Sequence, residues 1–441
     1  MGLFKAGFSR IDITPPLGVG MSGYFHERTS IDILDPLYAS CLAVNDGEHT
    51  ALLMSLDIIG ISQIQCDIYR NAIAAQTGVP YEGILLACTH THTGPVVGPD
   101  VLLEDDPAYT QLLGKKLCDA ARLAIADLDV AETFFGRGIA PNIAFVRRYL
   151  MKDGTTATNP GFDTSAIDHA IGTPDETVQV LSFKRETKPE ILIVNFQVHP
   201  DTIGGCKFSA DFPGFVRSTV ETVLPNVQCI YFNGAQGDTN HLNFFGDPAD
   251  YRSNNPRRIA QHMGRTIAGG VLQTYTMLKP IEAGTVRYTQ KNTMVPANCP
   301  TPEQIPEAER IISIYFSDRI NELPSGMLRN TLISEALRMK KFENGPDALE
   351  LYTTAISFGD IAFVGFPGEP FTDMGRSAKE RSPFALTIPC CAANGYEDYF
   401  PMQAAYDEGG YEARSSWFRP GVAEMLIDAA AEALTTLKNQ K

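Results

Sequence analysis

One stretch decides the fold, because in it two histidines follow an apolar run. It reads Gly83-Ile84-Leu85-Leu86-Ala87-Cys88-Thr89-His90-Thr91-His92-Thr93-Gly94-Pro95. The run predicts a buried strand that carries the histidine pair at its end. Side chains two residues apart on an extended strand project from the same face, so both imidazoles would point into one pocket. Two interpretations stay open at this point: both histidines hold a metal, or one holds it while the other moves protons.

Strand and helix patterns alternate around this stretch. Apolar spacing predicts helices over 64–75 and 108–128, and Asn45-Asp46-Gly47 is typical of a hairpin turn. A second continuous apolar run ends on His199. This alternation predicts an α/β fold of mixed β-sheets flanked by helices, with a metal site at strand ends.

The second half of the chain adds a helical segment and another strand pair. Residues 301–345 interleave charged and apolar side chains, which predicts a helical excursion from the core. Residues 348–372 predict a hairpin through Gly359-Asp360, and a last helix is predicted over 422–437. The length allows two or three domains or a single large α/β unit, and we expect residues 1–441 to form one domain.

Composition limits the partners. The 441 residues carry 36 basic against 52 acidic side chains, which argues against nucleic acid or an anionic membrane as the partner and favours a small molecule. No run approaches the roughly 18 apolar residues of a membrane span, and the N-terminus lacks a signal-peptide pattern. We therefore expect a cytoplasmic protein without a membrane anchor, and self-association into a homo-oligomer stays open.

Three apolar runs end on residue types that bind metals. They lead to the His90/His92 pair, to His199 and to Glu369 in "GFPGEPFT". Catalytic zinc takes a few such ligands and keeps an open position for water, whose pKa falls to roughly 7. We therefore expect a catalytic zinc site where the strand ends meet. The plainer alternative is that each histidine is a hydrogen-bonded rim residue and Glu369 a solvated turn.

Other segments offer polar groups for such a site. The loop "NGAQGDTNH" (233–241) either presents backbone N–H groups to an oxyanion or forms a tight turn. Arg147 would clamp a carboxylate or carbonyl oxygen, unless it is one of many paired surface arginines. Tyr399 and Tyr411 stand among glycines and acids, where most tyrosines merely pack.

Taken in order, these motifs resemble the N-terminal catalytic domain of the neutral, non-lysosomal ceramidase family. The similarity covers most of the chain, from "AGFSRIDITPP" (6–16) through "NFQVHP", "GAQGD" and "PGE" to the tyrosine pair. The most specific piece is "THTHTGP", close to the family's T-H-T-H-S-G-P. The chain has no room for the family's C-terminal immunoglobulin-like domain, so it resembles a short, divergent member.

The resemblance implies a zinc-dependent hydrolase with one zinc per chain. The residues that match the family's zinc ligands are His90, His199, Glu369 and Tyr399. The residues that match its substrate-facing side chains are His92, Arg147 and Tyr411.

A zinc-activated water would then attack a carbonyl, with the oxyanion held by zinc and by Tyr411 or Arg147. His92 would shuttle protons, because its unperturbed pKa of about 6.5 suits exchange at neutral pH. The family's serine aligns with Asn240, which leaves a serine-based step without support, and Thr239 is only a weak substitute. Candidates for oxyanion contacts or for orienting the histidines are Gly237, Asp238, Thr239, Asn240 and Asp57.

We thus expect an amidohydrolase-like enzyme that cleaves an amide, ester or lactone of a small polar substrate, sugar-like or N-acyl. The missing C-terminal domain and secretion signal argue against ceramide itself. Two alternatives stay open: a metal-dependent isomerase or lyase acting on a carbonyl substrate, and a catalytically inert domain that holds a metal.

Overall fold

A computed structural model describes residues 3–98, 103–247 and 255–440. In chain order, the strands are β1 (Lys5–Asp12), β2 (Asp32–Ile33), β3 (Tyr38–Asn45), β4 (Thr50–Leu56), β5 (Ile84–Cys88), β6 (Asp129–Ile139), β7 (Phe145–Val146), β8 (Arg148–Met151), β9 (Thr156–Thr158), β10 (Ile167–Ala170), β11 (Thr177–Arg185), β12 (Glu190–Phe196), β13 (Lys207–Phe208), β14 (Val227–Asn233), β15 (Thr239–Asn240), β16 (Lys279–Pro280), β17 (Val286–Pro296), β18 (Ala348–Phe358), β19 (Ile361–Gly365), β20 (Glu369–Pro370), β21 (Leu386–Cys390) and β22 (Tyr399–Phe400).

The helices lie between and after these strands. They are α1 (Gln63–Thr77), α2 (Pro107–Ala126), α3 (Asp211–Val223), α4 (Pro256–Tyr275), α5 (Ile305–Tyr315), α6 (Met327–Phe342), α7 (Thr372–Glu380), α8 (Gln403–Glu408), α9 (Tyr411–Ser415) and α10 (Val422–Asn439), with short 3₁₀ turns at Tyr81–Gly83, Thr164–Ala166 and Ile320–Glu322. The mixed α/β fold expected from the sequence is confirmed.

The larger sheet has the strand order β14-β12-β11-β6-β1-β3-β4-β5, with β16 added against β6. Its inner neighbours run antiparallel, whereas the outermost pairs, β4 with β5 and β12 with β14, run parallel. Parallel neighbours need a crossover, and α1 and α3 supply it. Each edge of the sheet is therefore a strand–helix–strand unit.

The smaller sheet supplies a third unit of this kind. Its order is β17-β18-β19-β21, and β18 and β19 form the expected hairpin through Gly359, whose φ is 63°. The parallel pair β19 and β21 is connected by α7. Ligands of open α/β sheets bind beyond the carboxyl ends of parallel strands, and this chain has three such ends.

The three units meet at one point because the larger sheet curls until its two edges face each other. The side-chain amide of Asn233, the last residue of β14, donates to the Thr89 carbonyl after β5 at 3.2 Å. The smaller sheet joins them: Cys391 N–H donates to Asn233 O at 3.0 Å, and Cys88 N–H donates to Ala392 O at 3.2 Å. The carboxyl ends of β5, β14 and β21 therefore converge.

A shared apolar core holds this convergence in place. Fully buried side chains from both sheets pack together, including Leu85, Ile230, Phe363 and Ile388. Burial of one such side chain contributes about 1.5–3 kcal/mol relative to exposure. The site is thus built on the most buried part of the molecule.

The segment 301–345 is helical, as its pattern predicted. The Gln304 side chain accepts a hydrogen bond from Thr301 N–H at 2.8 Å, and the first helix, α5, begins one residue later at Ile305. α5 and α6 pack around their own small core, which contains Ile311, Ile314 and Ile333. Within the described ranges, no helix is long and apolar enough to cross a membrane.

Candidate metal centre

The histidine pair lies in a loop and not on a strand, because β5 ends at Cys88. His90 has φ of 72°, in the left-handed region that few residues with a side chain adopt. The His90 and His92 rings still meet, with centroids 5.1 Å apart at 79°. The predicted convergence is confirmed, but the strand geometry given as its cause is wrong.

The three imidazoles share one hydrogen-bond arrangement: each Nδ1 lies against a backbone carbonyl. A carbonyl only accepts, so each Nδ1 carries the ring proton and each Nε2 keeps its lone pair. Metal-binding histidines are held in this way. The pairs are His90 with Ile59 at 2.8 Å, His92 with Gly23 at 2.8 Å and His199 with Gln236 at 3.1 Å.

Three of the ligand atoms form a tight triangle. His90 Nε2 and His199 Nε2 are 3.2 Å apart. Glu369 Oε2 lies 3.5 Å from His90 Nε2 and 3.2 Å from His199 Nε2. Two imidazole lone pairs and a carboxylate oxygen thus face one another in a buried space, an arrangement that a cation between them would stabilise.

His92 completes a group able to bind a metal. The ligand atoms of His90, His92 and His199 lie within 4.8 Å of one another. His92 Nε2 is buried and has no hydrogen-bond partner among the described residues. An unpaired buried acceptor is costly, so this atom is available to a ligand or an ion.

Burial keeps these imidazoles neutral. It lowers the pKa of His90 and of His92 to about 4, and that of His199 well below its ordinary value. Burial also raises the pKa of Glu369. At neutral pH the histidines therefore present lone pairs without first having to lose protons.

Glu369 is held by two residues that the sequence did not single out. It lies in β20, paired with Tyr399 of β22. Tyr396 donates from its hydroxyl to Glu369 Oε1 at 2.9 Å, and Gln236 Nε2 lies 3.4 Å from Oε2. Tyr396 lies three residues before Tyr399 in the stretch "NGYEDYF" (394–400), so its nearness to Tyr399 in the sequence could have indicated it.

The two predicted tyrosines come together at the site. The rings of Tyr399 and Tyr411 are 5.6 Å apart, and Tyr411 also contacts Phe25. Burial raises the pKa of both phenols, which therefore stay protonated and can donate hydrogen bonds. Their assignment as zinc ligand and substrate contact stays a prediction.

Arg147 is buried and largely engaged within the protein. Its Nε donates to Glu412 Oε1 at 2.6 Å, and its Nη2 donates to Gly237 O at 2.7 Å. Its guanidinium carbon lies 5.3 Å from the centre of the Tyr399 ring. Arg147 thus ties the tyrosine segment to the 233–241 loop, and a substrate contact stays a prediction.

The 233–241 loop is occupied by structural contacts. Gly237 N–H donates to Pro370 O at 2.8 Å, so it is not an open oxyanion donor. Asp238 accepts from Thr372 N–H at 2.8 Å at the start of α7. Thr239 Oγ1 donates to Gln236 O at 3.3 Å, and Asn240 Nδ2 donates to Asn159 Oδ1 at 2.9 Å.

Asp57 does not contact a histidine ring. Its carboxylate accepts from Arg217 at 2.8 and 2.5 Å and from Tyr38 N–H at 2.9 Å. The Nδ1 atoms of His90, His92 and His199 all lie against backbone carbonyls and not against a carboxylate. An orienting role for Asp57 or Asp238 stays a prediction. Asp57 links the end of β4 to α3.

A cavity of about 850 Å³ opens beside the histidines. Near the site it is lined by His92, Glu369 and Tyr396, and farther out by apolar side chains from several elements. Those apolar side chains include Ile64 and Ile68 of α1, Val96 and Val97 after the histidines, Leu337 of α6, and Trp417. The helical excursion is therefore one wall of the cavity.

Comparisons with known proteins concern the fold. No family model and no curated protein matches the sequence. Among solved structures, neutral ceramidase from Pseudomonas aeruginosa superposes with a TM-score of 0.75 at 17% identity, over 99% of this chain and 75% of that one. A structure of ceramidase complexed with C2 gives 0.76 at 18% identity, over 99% and 76%. The chain therefore has the ceramidase-like fold that its motifs led us to expect.

Proposed function

We propose that the protein is a zinc-dependent hydrolase that cleaves an amide, ester or lactone carbonyl of a small molecule. The observation that carries this proposal is the triangle of His90, His199 and Glu369, with edges of 3.2, 3.2 and 3.5 Å. Two ligand atoms bound to one tetrahedral zinc lie about 3.3 Å apart, given metal–ligand distances of about 2.0–2.1 Å. The donor set of two neutral imidazoles and a carboxylate also suits zinc.

The residues that would hold the ion are His90, His199, Glu369 and, by resemblance, Tyr399. When bound, zinc supplies a Lewis acid that polarises a carbonyl and lowers the pKa of a water to roughly 7. His90 follows β5, His199 follows β12 and Glu369 lies in β20, and their facing atoms lie 3.2 to 3.5 Å apart. Little ordering is therefore left for binding to impose.

His92 would move the proton. Its Nδ1–H is fixed on Gly23 O at 2.8 Å, which leaves the buried Nε2 to take a proton from water and return it to the leaving group. Tyr411 would donate a hydrogen bond from its hydroxyl to the substrate carbonyl oxygen as negative charge develops there.

The cavity favours an N-acyl substrate over a sugar-like one. Its outer wall carries Ile64, Ile68 and Leu337, which offer an acyl chain more than they offer hydroxyl groups. At about 850 Å³ it has room for a small molecule with an apolar part.

One competing role for His92 has an observation in its favour. His92 lies in the same group as His90 and His199, within 4.8 Å, and would then be a third histidine ligand. A ligand and a proton shuttle respond differently to loss of the ring, because only the ligand is needed to retain the ion.

Zinc content and turnover of two histidine variants test the proposal. We expect about one zinc per chain in the purified protein, loss of zinc in His90→Ala, and retained zinc without turnover in His92→Ala. His262→Ala, an exposed histidine on α4, is the matched control and should keep both. Full turnover in His92→Ala would contradict the role of His92 as proton shuttle. Loss of zinc from the same variant would indicate that His92 is a metal ligand.

Labelled water separates hydrolysis from the alternatives. Incubation of N-acyl, ester and lactone substrates in ¹⁸O-water should place the label in the acid product. Turnover that leaves product carboxylates unlabelled would indicate an isomerase or lyase. A zinc-loaded protein that turns over none of these substrates would support an inert metal-holding domain.

A further inference from the structure

The two carboxylate oxygens of Glu369 have different surroundings. Oε2 faces His199 Nε2 at 3.2 Å and His90 Nε2 at 3.5 Å. Oε1 accepts a hydrogen bond from the Tyr396 hydroxyl, with the two oxygens 2.9 Å apart. The carboxylate therefore presents one oxygen to the histidines and has the other engaged by a phenol.

We propose that Tyr396 is a positioning residue that keeps Glu369 to a single-oxygen contact with a bound metal ion. A carboxylate with both oxygens free binds metals either through one oxygen or through both. By engaging Oε1, the phenol prevents the second mode and leaves one more coordination position for water or substrate. The proposal rests on the metal site proposed above and not on hydrolysis.

The Tyr396 ring is fixed by close packing. Gly60 lies against it so tightly that a Cβ at that position would be 2.2 Å from the ring carbon Cγ. The ring centroid is 5.5 Å from that of His90. These two contacts favour the ring position in which the hydroxyl meets Oε1.

Gln236 does not substitute for this contact. Its Nε2 reaches Oε2 at 3.4 Å, which is long for a hydrogen bond, and its Oε1 has no partner among the described residues. The Tyr396 contact, at 2.9 Å, is thus shorter than that of Gln236, and its removal should change how the carboxylate binds.

Cobalt substitution of the Tyr396→Phe variant tests this assignment. Co²⁺ replaces zinc in such sites, and its visible d–d bands weaken as the coordination number rises. We expect Tyr396→Phe to show weaker bands than the wild type, since Oε1 becomes an additional ligand and raises the coordination number. Gly60→Ala, which keeps the phenol but displaces the ring, should weaken the bands as well.

Tyr109→Phe is the matched control, because Tyr109 is also buried and donates one hydrogen bond, to Ile13 O at 2.6 Å. It should keep the wild-type spectrum. Cobalt bound to Tyr396→Phe with an unchanged spectrum overturns the role of Tyr396 alone. A folded wild type that takes up neither cobalt nor zinc overturns the metal site together with this assignment, whatever the hydrolysis assays show.

Discussion

At the scale of single residues, His90 combines an unfavourable backbone conformation with complete burial of a titratable ring. Its φ is 72°, and its ring is fully buried with the pKa lowered to about 4 by that burial. Strain of this kind costs of order 1–3 kcal/mol and persists where the surroundings impose it. The hydrogen bonds of its N–H to Ile58 O and of its ring to Ile59 O impose it here.

The low pKa of His90 predicts a pH dependence of stability in the metal-free protein. The folded pKa of about 4 lies below the unfolded value of about 6.5, so the stability contributed is full above pH 6.5 and is lost as the pH falls towards 4. Between pH 6.5 and 5 the loss from His90 alone is roughly 2 kcal/mol in the free energy of unfolding. Urea unfolding of the metal-free protein across this range measures it.

His90→Asn provides the comparison, because asparagine tolerates positive φ and does not titrate. Its free energy of unfolding should fall less steeply as the pH decreases, with a slope that corresponds to about one proton fewer taken up on unfolding. The exposed variant His262→Ala should keep the wild-type slope. Parallel slopes for wild type and His90→Asn would contradict a buried, neutral His90.

The sequence predicted which side chains meet where a motif named them, and it missed contacts between residues far apart in the chain. His90, His199 and Glu369 were identified by their place after apolar runs and by resemblance, and their atoms lie 3.2 to 3.5 Å apart. Asp57 stood in an equally suggestive place after "MSL", yet it pairs with Arg217, which lies 160 positions later. A partner so distant leaves no trace in local sequence.

At the scale of elements, the strands and helices were predictable but their convergence was not. Apolar runs show that β5 and β14 are buried strands, since both lack the alternation of a half-exposed strand. They do not show that these two strands occupy opposite edges of one sheet and then meet. That closure depends on the curl of the sheet and on the segment that follows β21, which hydrogen-bonds to both edges.

The Asp57–Arg217 ion pair predicts a stability effect at this scale, because it links the β4–α1–β5 unit to α3 of the β12–α3–β14 unit. Both side chains are buried and joined by two bonds, at 2.8 and 2.5 Å. Arg217→Met leaves a buried carboxylate without its cation, and removal of one partner of such a pair costs about 3–5 kcal/mol. Denaturant unfolding of Arg217→Met should show this loss.

The double variant Asp57→Asn/Arg217→Met should be less destabilised than the sum of the single variants, as expected of residues in direct contact. Arg310→Met, which breaks the exposed pair with Glu307, is the control and should change stability little. Additive effects at Asp57 and Arg217 would contradict the coupling of the two units.

At the scale of the whole molecule, the excursion and the metal centre belong to one cavity. The 301–345 pattern predicted helices and an apolar face, but the same face would suit a subunit contact. In the fold, α6 turns Ser334, Leu337, Arg338 and Lys341 towards the cavity, at positions that recur every three or four residues. The position of a distant helix across the cavity is a tertiary property, which explains why the sequence left its role open.

This arrangement predicts that α6 limits the length of the substrate. Leu337→Trp places a larger side chain in the outer cavity while the histidines, Glu369 and Tyr396 remain unchanged. For a series of N-acyl substrates from acetyl to octanoyl, kcat/KM should fall progressively with chain length, by about tenfold or more at the long end, which corresponds to about 1.4 kcal/mol in transition-state stabilisation. Leu328→Trp, on the same helix but 52% exposed and not part of the cavity lining, should preserve the wild-type profile. An equal loss of kcat/KM for acetyl and octanoyl substrates in Leu337→Trp would indicate a disturbed metal site and not a shortened cavity. Zinc content measured in parallel distinguishes the two, because a shortened cavity leaves the ion in place.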